Sequence, residues 1–181
     1  AEARAAIDEA LDYARALGAR AVHVMAGVAA SAAARATFTA NLAYACGRAA
    51  AQRTTILIEP LNPRDAPGYF LASSDVAASI IAELGAPNLK LMFDFYHLQI
   101  LEGDAARRFE RLAPIVGHVQ IASVPDRDPP DRGALDYAHA LASLAALGWD
   151  APIGAEYRPG GETEPTLGWL ARFRAIGADA S

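Results

Sequence analysis

Four oxygen-bearing side chains each follow a short apolar run, at intervals of 35, 26 and 36 residues along the chain. They are Glu59, Asp94, Gln120 and Glu156. Carboxylate and amide oxygens suit a hard divalent cation, Mg²⁺ or Mn²⁺, better than a structural zinc ion. A carboxylate beside such an ion can also remove or return a proton. The set therefore predicts acid–base chemistry at a metal site.

Each of the four residues has a plainer interpretation when it is taken alone. An acidic side chain at the end of a strand is often only a solvated residue where the strand meets a loop. Four such side chains at a repeating interval are better explained by one shared site, because gathering several acids requires a compensating positive charge.

Three further side chains are candidates for binding substrate. His97 follows Asp94 by three residues and is predicted to bind the metal or to donate to a substrate oxygen. Arg127 and Arg158 follow the third and fourth apolar runs, and each is a candidate for binding a carboxylate or a phosphate of the substrate. Each arginine alone is more typical of a surface cation or an ion-pair partner.

The remaining histidines are less informative. His118 stands two residues before Gln120, where it would share a strand face with that residue, so a site role and a packing role are equally supported. His23 and His139 have no such companions in the sequence and are interpreted as structural.

The elements that must position these residues alternate between helices and strands. Helical patterns are predicted at residues 2–17, 33–51, 74–85, 103–113 and 136–148, and from Thr163 onward. Apolar strands are predicted at residues 21–25, 55–59, 89–94, 116–121 and 152–157. The third strand is expected to run into Phe95-Tyr96-His97.

This order predicts an α/β protein with a parallel sheet covered by helices. A closed TIM (β/α)8 barrel has eight strands and about 250 residues, whereas here five strands are predicted. Two interpretations remain: an open five-stranded sheet, or an incomplete barrel without its N-terminal units. No linker interrupts residues 1–181, so we expect a single domain. Unpaired strand edges would favour association, so a homo-oligomer is possible.

The composition of the chain limits the kinds of partner that we expect it to bind. The chain is 53% hydrophobic and 20% charged, with a net charge of −5 and no basic stripe, which argues against nucleic acid. No apolar run is long enough to span a membrane, and the first residues do not resemble a signal peptide, so a cytoplasmic location is expected. The single cysteine, Cys46, lies in an alanine-rich helical stretch and is predicted to be a core thiol.

Several short motifs together resemble the hydroxypyruvate isomerase family, within the xylose isomerase-like (β/α)8 barrels. These motifs are Ile58-Glu59-Pro60-Leu61-Asn62, Phe93-Asp94-Phe95-Tyr96-His97, His118-Val119-Gln120-Ile121-Ala122 and Gly154-Ala155-Glu156-Tyr157-Arg158-Pro159. The resemblance extends over essentially the whole chain. It implies that the chain corresponds to the C-terminal part of the barrel, strands four to eight.

The resemblance also implies a site and a reaction. Glu59, Asp94, Gln120 and Glu156 would bind the divalent metal ion, and Glu59 and Glu156 would also form the catalytic pair. The implied reaction interconverts a hydroxy aldehyde and a hydroxy ketone through an enediolate. The substrate would be a small hydroxy-oxo acid, hydroxypyruvate, which becomes tartronate semialdehyde.

The loop after Gln120 departs from the family pattern. Relatives usually carry a His-Glu or similar pair after the arginine and then Gly-Glu-Ile-Asn-Tyr, whereas this chain has Asp128-Pro129 and Gly133-Ala134-Leu135-Asp136-Tyr137. The four-carbon acid 2-oxo-tetronate therefore competes with hydroxypyruvate as the expected substrate. The same barrel would also suit a sugar epimerase, a dehydratase or an apurinic endonuclease, and the five-stranded chain would suit a non-catalytic barrel remnant.

Overall fold

The computed structural model describes residues 2–179, with side chains described as far as residue 175. Within that range the chain contains five parallel strands that form one sheet in chain order. The strands are β1 (Ala21–His23), β2 (Thr55–Ile58), β3 (Leu89–Asp94), β4 (Val116–Ile121) and β5 (Ile153–Ala155). The predicted fold class, five parallel strands with covering helices, is confirmed.

Seven α-helices accompany these strands in the described residues. They are α1 (Glu2–Leu17), α2 (Ala34–Ala50), α3 (Ser74–Leu84), α4 (Phe95–Glu102), α5 (Ala105–Leu112), α6 (Tyr137–Ala146) and α7 (Trp169–Asp179). The described chain groups into two compact units, the first made of residues 2–92 and 115–117 and the second of residues 93–114 and 118–179.

The first unit packs α1 and α2 beside β1 and β2. Helix α1 buries one stripe of side chains, Ile7, Leu11 and Ala14, and leaves its other faces exposed. It ends where Gly18 takes a positive φ of 67°, which glycine adopts without steric penalty. The amphipathic pattern and the terminal glycine therefore explain both the position and the length of the helix.

The sheet in the first unit is pinned by register and by a close approach. His23 pairs with Leu57 across β1 and β2, and Leu57 pairs with Lys90 across β2 and β3. A Cβ added to Gly117 would lie 2.5 Å from the Cβ of Lys90 and 3.1 Å from a side-chain methyl of Leu57. Glycine at this strand position therefore allows a separation that no other residue permits.

The second unit is organised around aromatic side chains. Phe93, Phe95 and Phe109 are fully buried, and their rings meet edge-to-face or stacked at centroid distances of 4.9 to 5.9 Å. Strand β4 pairs with β5 so that Gln120 lies opposite Gly154. The predicted cap of α6 is confirmed, since Asp136 Oδ1 accepts hydrogen bonds from the next turn of backbone N–H groups.

Two sequence predictions about helices were wrong. Residues 95–97 do not continue the strand but begin α4, because the Asp94 carboxylate caps a helix directly at the end of β3. The last helix does not start after Thr163: that residue has helical φ and ψ, its hydroxyl makes no capping bond, and only one 3₁₀ turn follows. Helix α7 begins at Trp169. No helix in the described part of the chain is both long and apolar enough to cross a membrane.

Candidate active site

Glu59 is a buried carboxylate directly after β2, with 4% of its surface exposed. His23, at the end of the neighbouring strand β1, lies with Nδ1 3.8 Å from Glu59 Oε2. The Tyr69 hydroxyl accepts a hydrogen bond of 2.8 Å from Ala26 N–H, and burial, together with the charge of Glu59, raises the pKa of Tyr69. The first unit therefore places an imidazole 3.8 Å from the Glu59 carboxylate and a phenol within reach of its electrostatic influence.

His23 was interpreted from the sequence as structural, and its approach to Glu59 was missed. The signal was present in the strand register. His23 pairs with Leu57, and Glu59 stands two residues beyond Leu57, so both side chains project from the same face of adjacent strands. The residues around His23 in its own strand do not reveal this proximity to Glu59, because it depends on how β1 pairs with β2.

Asp94 is the most deeply buried carboxylate of the predicted set, with 1% of its surface exposed. Its Oδ1 accepts a hydrogen bond of 2.7 Å from Tyr96 N–H, and His97 Nε2 lies 4.0 Å from Oδ2. Burial raises the pKa of Asp94 to about 7, while the Tyr96 backbone N–H and the Arg127 charge act in the opposite direction. An ionised Asp94 therefore needs a nearby positive charge.

Gln120, Arg127 and Glu156 form a hydrogen-bonded group in the second unit. Gln120 Nε2 donates to Glu156 Oε2 at 2.8 Å, and Arg127 Nη2 donates to Glu156 Oε1 at 2.7 Å. The arginine Cζ also lies 5.2 Å from the ring centroid of Tyr96, within the range of a cation–π contact. Both carboxylate oxygens of Glu156 are thus oriented, although 54% of this side chain is exposed.

The backbone brings Arg127 to Glu156 through a tightly bonded loop. Arg127 adopts a φ of 60°, which is uncommon for a residue other than glycine. Its carbonyl oxygen accepts a hydrogen bond of 2.6 Å from Arg158 N–H, and Glu156 N–H donates to the Ile121 carbonyl at 3.1 Å. The loop after β4 is therefore tied to the segment after β5.

The other predicted residues occupy different surroundings. The side chain of Arg158 is exposed, and its backbone N–H donates a hydrogen bond to the Arg127 carbonyl. His118 is half-buried, and burial lowers the pKa of its imidazole. A Cβ added to Gly154 would lie 3.1 Å from His118 Nε2 and 3.5 Å from Gln120 Cγ, so these two side chains occupy the space above that glycine. His139 is exposed.

The oxygen atoms available in the second unit fit a hard cation. Asp94 Oδ2 and Gln120 Oε1 are both buried, and neither accepts a hydrogen bond from the residues that the structure describes. Buried acceptors without a donor are costly, and a divalent ion would satisfy them. The donor set is oxygen with a neighbouring imidazole, which suits Mg²⁺ or Mn²⁺.

Parallel strands that carry oxygen-bearing side chains at their carboxyl ends are typical of barrel proteins. The chain belongs to the xylose isomerase-like TIM barrel family, whose model matches residues 1–173. The prediction that it resembles the hydroxypyruvate isomerases of that group is confirmed by curated relatives.

Those relatives are named as isomerases. The chain is 49% identical over 177 residues to "2-oxo-tetronate isomerase" of Cupriavidus necator, covering 96% of this chain and 68% of the relative. It is 37% identical over 180 residues to "Putative hydroxypyruvate isomerase" of Homo sapiens, covering 94% of this chain and 65% of the relative. The chain thus spans about two thirds of the length of these proteins.

Solved structures agree with the fold. A crystal structure of AP endonuclease, family 2, from Brucella melitensis matches with a TM-score of 0.91 and 40% identity, over 95% of this chain and 68% of that one. A D-psicose 3-epimerase from Clostridium cellulolyticum H10 matches with a TM-score of 0.77 over 98% of this chain and 68% of that one. At 15% identity, the epimerase supports the fold alone.

Proposed function

We propose that the chain carries the site of a metal-dependent isomerase acting on a small hydroxy-oxo acid. The observation that carries the proposal is the group in which Gln120 and Arg127 orient both carboxylate oxygens of Glu156. An oriented, partly exposed carboxylate next to a cationic side chain is suited to moving a proton on an anionic substrate. The names of the curated relatives support the same reaction class.

Glu59, Asp94, Gln120 and Glu156 would hold the divalent ion, Mg²⁺ or Mn²⁺. Each stands at the carboxyl end of one of four parallel strands, where barrel enzymes gather their functional groups. When bound, the ion would act as a Lewis acid that makes the C–H bond beside the substrate carbonyl more acidic.

The two glutamates would carry the proton. One removes a proton from the hydroxyl-bearing carbon, which leaves an enediolate, and a proton is then returned to the former carbonyl carbon while the hydroxyl proton passes from the first oxygen to the second. The hydroxyl and the carbonyl thus exchange places, so that an α-hydroxy ketone becomes an α-hydroxy aldehyde or the isomeric hydroxy ketone. Glu156 is already fixed through both oxygens, and Glu59 is buried beside His23.

The substrate carboxylate would be bound by cationic side chains and by His97. Arg127 uses one N–H for the Glu156 carboxylate, and a guanidinium has five N–H donors in all, so a substrate oxygen can share it. Arg158 is exposed within the same backbone-linked segment. A planar guanidinium recognises a carboxylate better than an ammonium group does.

Between the two acids, the four-carbon 2-oxo-tetronate is favoured. The relative that shares 49% identity bears that name, and the loop after Gln120 lacks the His-Glu pair expected in hydroxypyruvate isomerases. Hydroxypyruvate is the second candidate, since a relative that is 37% identical over 94% of this chain carries the name "Putative hydroxypyruvate isomerase".

Turnover in ²H₂O with Mg²⁺ or Mn²⁺ tests the proposal. We expect conversion of 2-oxo-tetronate, of hydroxypyruvate, or of both, with one solvent deuteron incorporated at the new hydroxyl-bearing carbon. Inversion of configuration without carbonyl migration would instead indicate an epimerase. Absence of both reactions with the chain supplied at high concentration would contradict the assignment for this polypeptide.

An endonuclease activity on abasic DNA is the second candidate function, favoured by one structural relative that is described as an AP endonuclease. The net charge of −5 argues against it, because DNA binding depends on neutralising phosphates. Incision of an abasic duplex in the same metal buffers, in the absence of isomerisation, would favour it.

A further inference from the structure

We propose that Ser123 is a positioning residue, which holds Arg127 between the Glu156 carboxylate and the Tyr96 ring. We call residues 123–134 the Arg127 loop. The role of this placement in turnover rests on the proposed isomerase function, but the placement itself is tested without any activity. The sequence did not single out Ser123, because a serine in a loop carries no signal of its own.

Ser123 forms hydrogen bonds with Arg127 and with the next residue, Asp128. It is buried, with 2% of its surface exposed. Its hydroxyl accepts from Asp128 N–H at 2.9 Å, its own N–H donates to the Asp128 carbonyl at 3.0 Å, and its carbonyl accepts from Arg127 N–H at 3.0 Å. One small residue therefore fixes the backbone on both sides of the Arg127 side chain.

Arg127 needs such support because its backbone is in an unfavourable region. A φ of 60° brings the Cβ of a residue other than glycine close to its own backbone. Such conformations persist only where surrounding bonds determine them. The Ser123 hydroxyl is the one side-chain acceptor that the described residues offer to the Asp128 N–H.

The far end of the Arg127 loop is closed just as tightly. Gly133 has a φ of 80°, and a Cβ added there would lie 2.3 Å from the carbonyl oxygen of Val124. The same oxygen accepts a hydrogen bond of 2.8 Å from Ala134 N–H. The loop is therefore anchored at Ser123 and at the residue that follows it, Val124, and Arg127 lies between these anchors and Gly133.

This placement determines what the guanidinium can do. Arg127 Nη2 reaches Glu156 Oε1 at 2.7 Å while Nε–H points to the Glu156 carbonyl at 3.4 Å. Only 15% of the Arg127 side chain is exposed. If the Asp128 bond is lost, the residue can leave the positive-φ conformation, and a long flexible side chain then moves away from both partners.

Nuclear magnetic resonance of the arginine Nε–H groups tests the proposal directly. The Arg127 signal is identified by its loss in Arg127→Lys. We expect it to be resolved in the unaltered chain, and to merge with the exposed arginines in Ser123→Ala, with solvent exchange about tenfold faster, the factor expected for losing roughly one hydrogen bond. Ser123→Thr keeps a hydroxyl and should retain the resolved signal. Ser143→Ala, a serine of α6 in the same unit, is the matched control.

A second variant protects the test against a folding failure. If circular dichroism shows that Ser123→Ala is unfolded, Gly133→Ala disturbs the other anchor and should cause the same collapse of the Arg127 signal. An unchanged Arg127 signal in a folded Ser123→Ala protein would overturn the proposal. So would a folded Ser123→Thr variant that behaves like Ser123→Ala.

The kinetic arm then separates positioning from general structure. In an active preparation, Ser123→Ala should raise KM for the oxo acid about tenfold and should also lower kcat, because the displaced Arg127 binds the substrate carboxylate less well and no longer orients Glu156. A fall in kcat with unchanged KM would overturn the substrate-binding role. If the unaltered chain is inactive, the proposed function fails, and the resonance experiment still decides whether Ser123 places Arg127.

Discussion

Glu156 is held by two different side chains, an amide and a guanidinium, one on each carboxylate oxygen. Such restraint reduces the number of orientations available to a carboxylate that, in the proposed reaction, would meet one carbon–hydrogen bond. Glu59 reaches a comparable restraint by burial. At the scale of the residue, the two units therefore present carboxylates in contrasting environments, the covered Glu59 in the first and the open Glu156 in the second.

The first prediction concerns these two carboxylates. Glu59→Gln and Glu156→Gln should each lower kcat by about 10²–10⁴-fold, because an amide cannot accept the proton. Steady-state rates in a metal-saturated assay measure the effect. Glu162→Gln, an exposed glutamate in the loop after β5, is the control and should remain within about twofold of the unaltered chain. Near-normal activity in either site variant would exclude that residue as an acid–base group.

The second prediction concerns Cys46, whose burial raises the pKa of its thiol above the ordinary value. In the unfolded chain the thiol ionises first, so at alkaline pH the folded state binds more protons and stability falls as pH rises. Urea unfolding of the native chain should therefore show a loss of stability above about pH 9, relative to Cys46→Ala. Parallel pH profiles for the two proteins would contradict a buried, neutral thiol.

At the scale of the element, two helices begin where one side chain satisfies the first free N–H groups. Asp136 does so for α6 with bonds to Ala138 N–H and His139 N–H of 3.0 and 3.2 Å. Asp94 does so for α4 while also ending β3. A single carboxylate thus links a strand, a helix and the candidate site.

The third prediction tests the α6 cap. Asp136→Ala should lower the free energy of unfolding by about 1 kcal/mol, since two N–H groups lose their acceptor. Asp136→Asn or Asp136→Ser should recover most of the difference, because both residues can accept the same bonds. Chemical denaturation of the three variants provides the measurement, and an unaltered midpoint for Asp136→Ala would show that the cap contributes nothing.

Much of this level could be predicted from the sequence, and the failures have physical reasons. The five apolar runs and the glycine after α1 locate their elements because burial and turn geometry are local properties. The start of helix α4 at Phe95 was not predicted, because Asp94, the residue that caps this helix, also follows an apolar run typical of a strand. The pairing of Arg127 with Glu156 was missed because it depends on a loop conformation, with φ at 60°, that no residue type in the loop signals.

At the scale of the whole molecule, the site candidates depend on bringing strand ends together. The strand ends could be predicted because the interval between oxygen-bearing residues follows the repeat of strand and helix. The hydrogen bonds among them could not, since a sequence does not fix the side-chain rotamers of Gln120 or Glu156. The chain spans about two thirds of the length of its curated relatives, so activity must be measured on this polypeptide itself.

The fourth prediction concerns metal binding by the molecule. Mg²⁺ or Mn²⁺ at about 100 times its dissociation constant should stabilise the folded chain by about 2.7 kcal/mol, if the unfolded chain does not bind. Thermal unfolding should shift upward by several degrees and return with EDTA. Asp94→Asn should abolish the shift, whereas Asp150→Asn, an exposed aspartate, should keep it. A shift that survives Asp94→Asn would place the ion elsewhere.

Gly117 has a consequence for how this sequence can diverge. A Cβ added at this position would lie 2.5 Å from the Cβ of Lys90, so a side chain at either position constrains the other. Homologous sequences should therefore show covariation: a residue larger than glycine at the first position should accompany glycine at the second. We therefore expect a single substitution of Gly117 to be tolerated only where Lys90, on the neighbouring strand, has already been replaced.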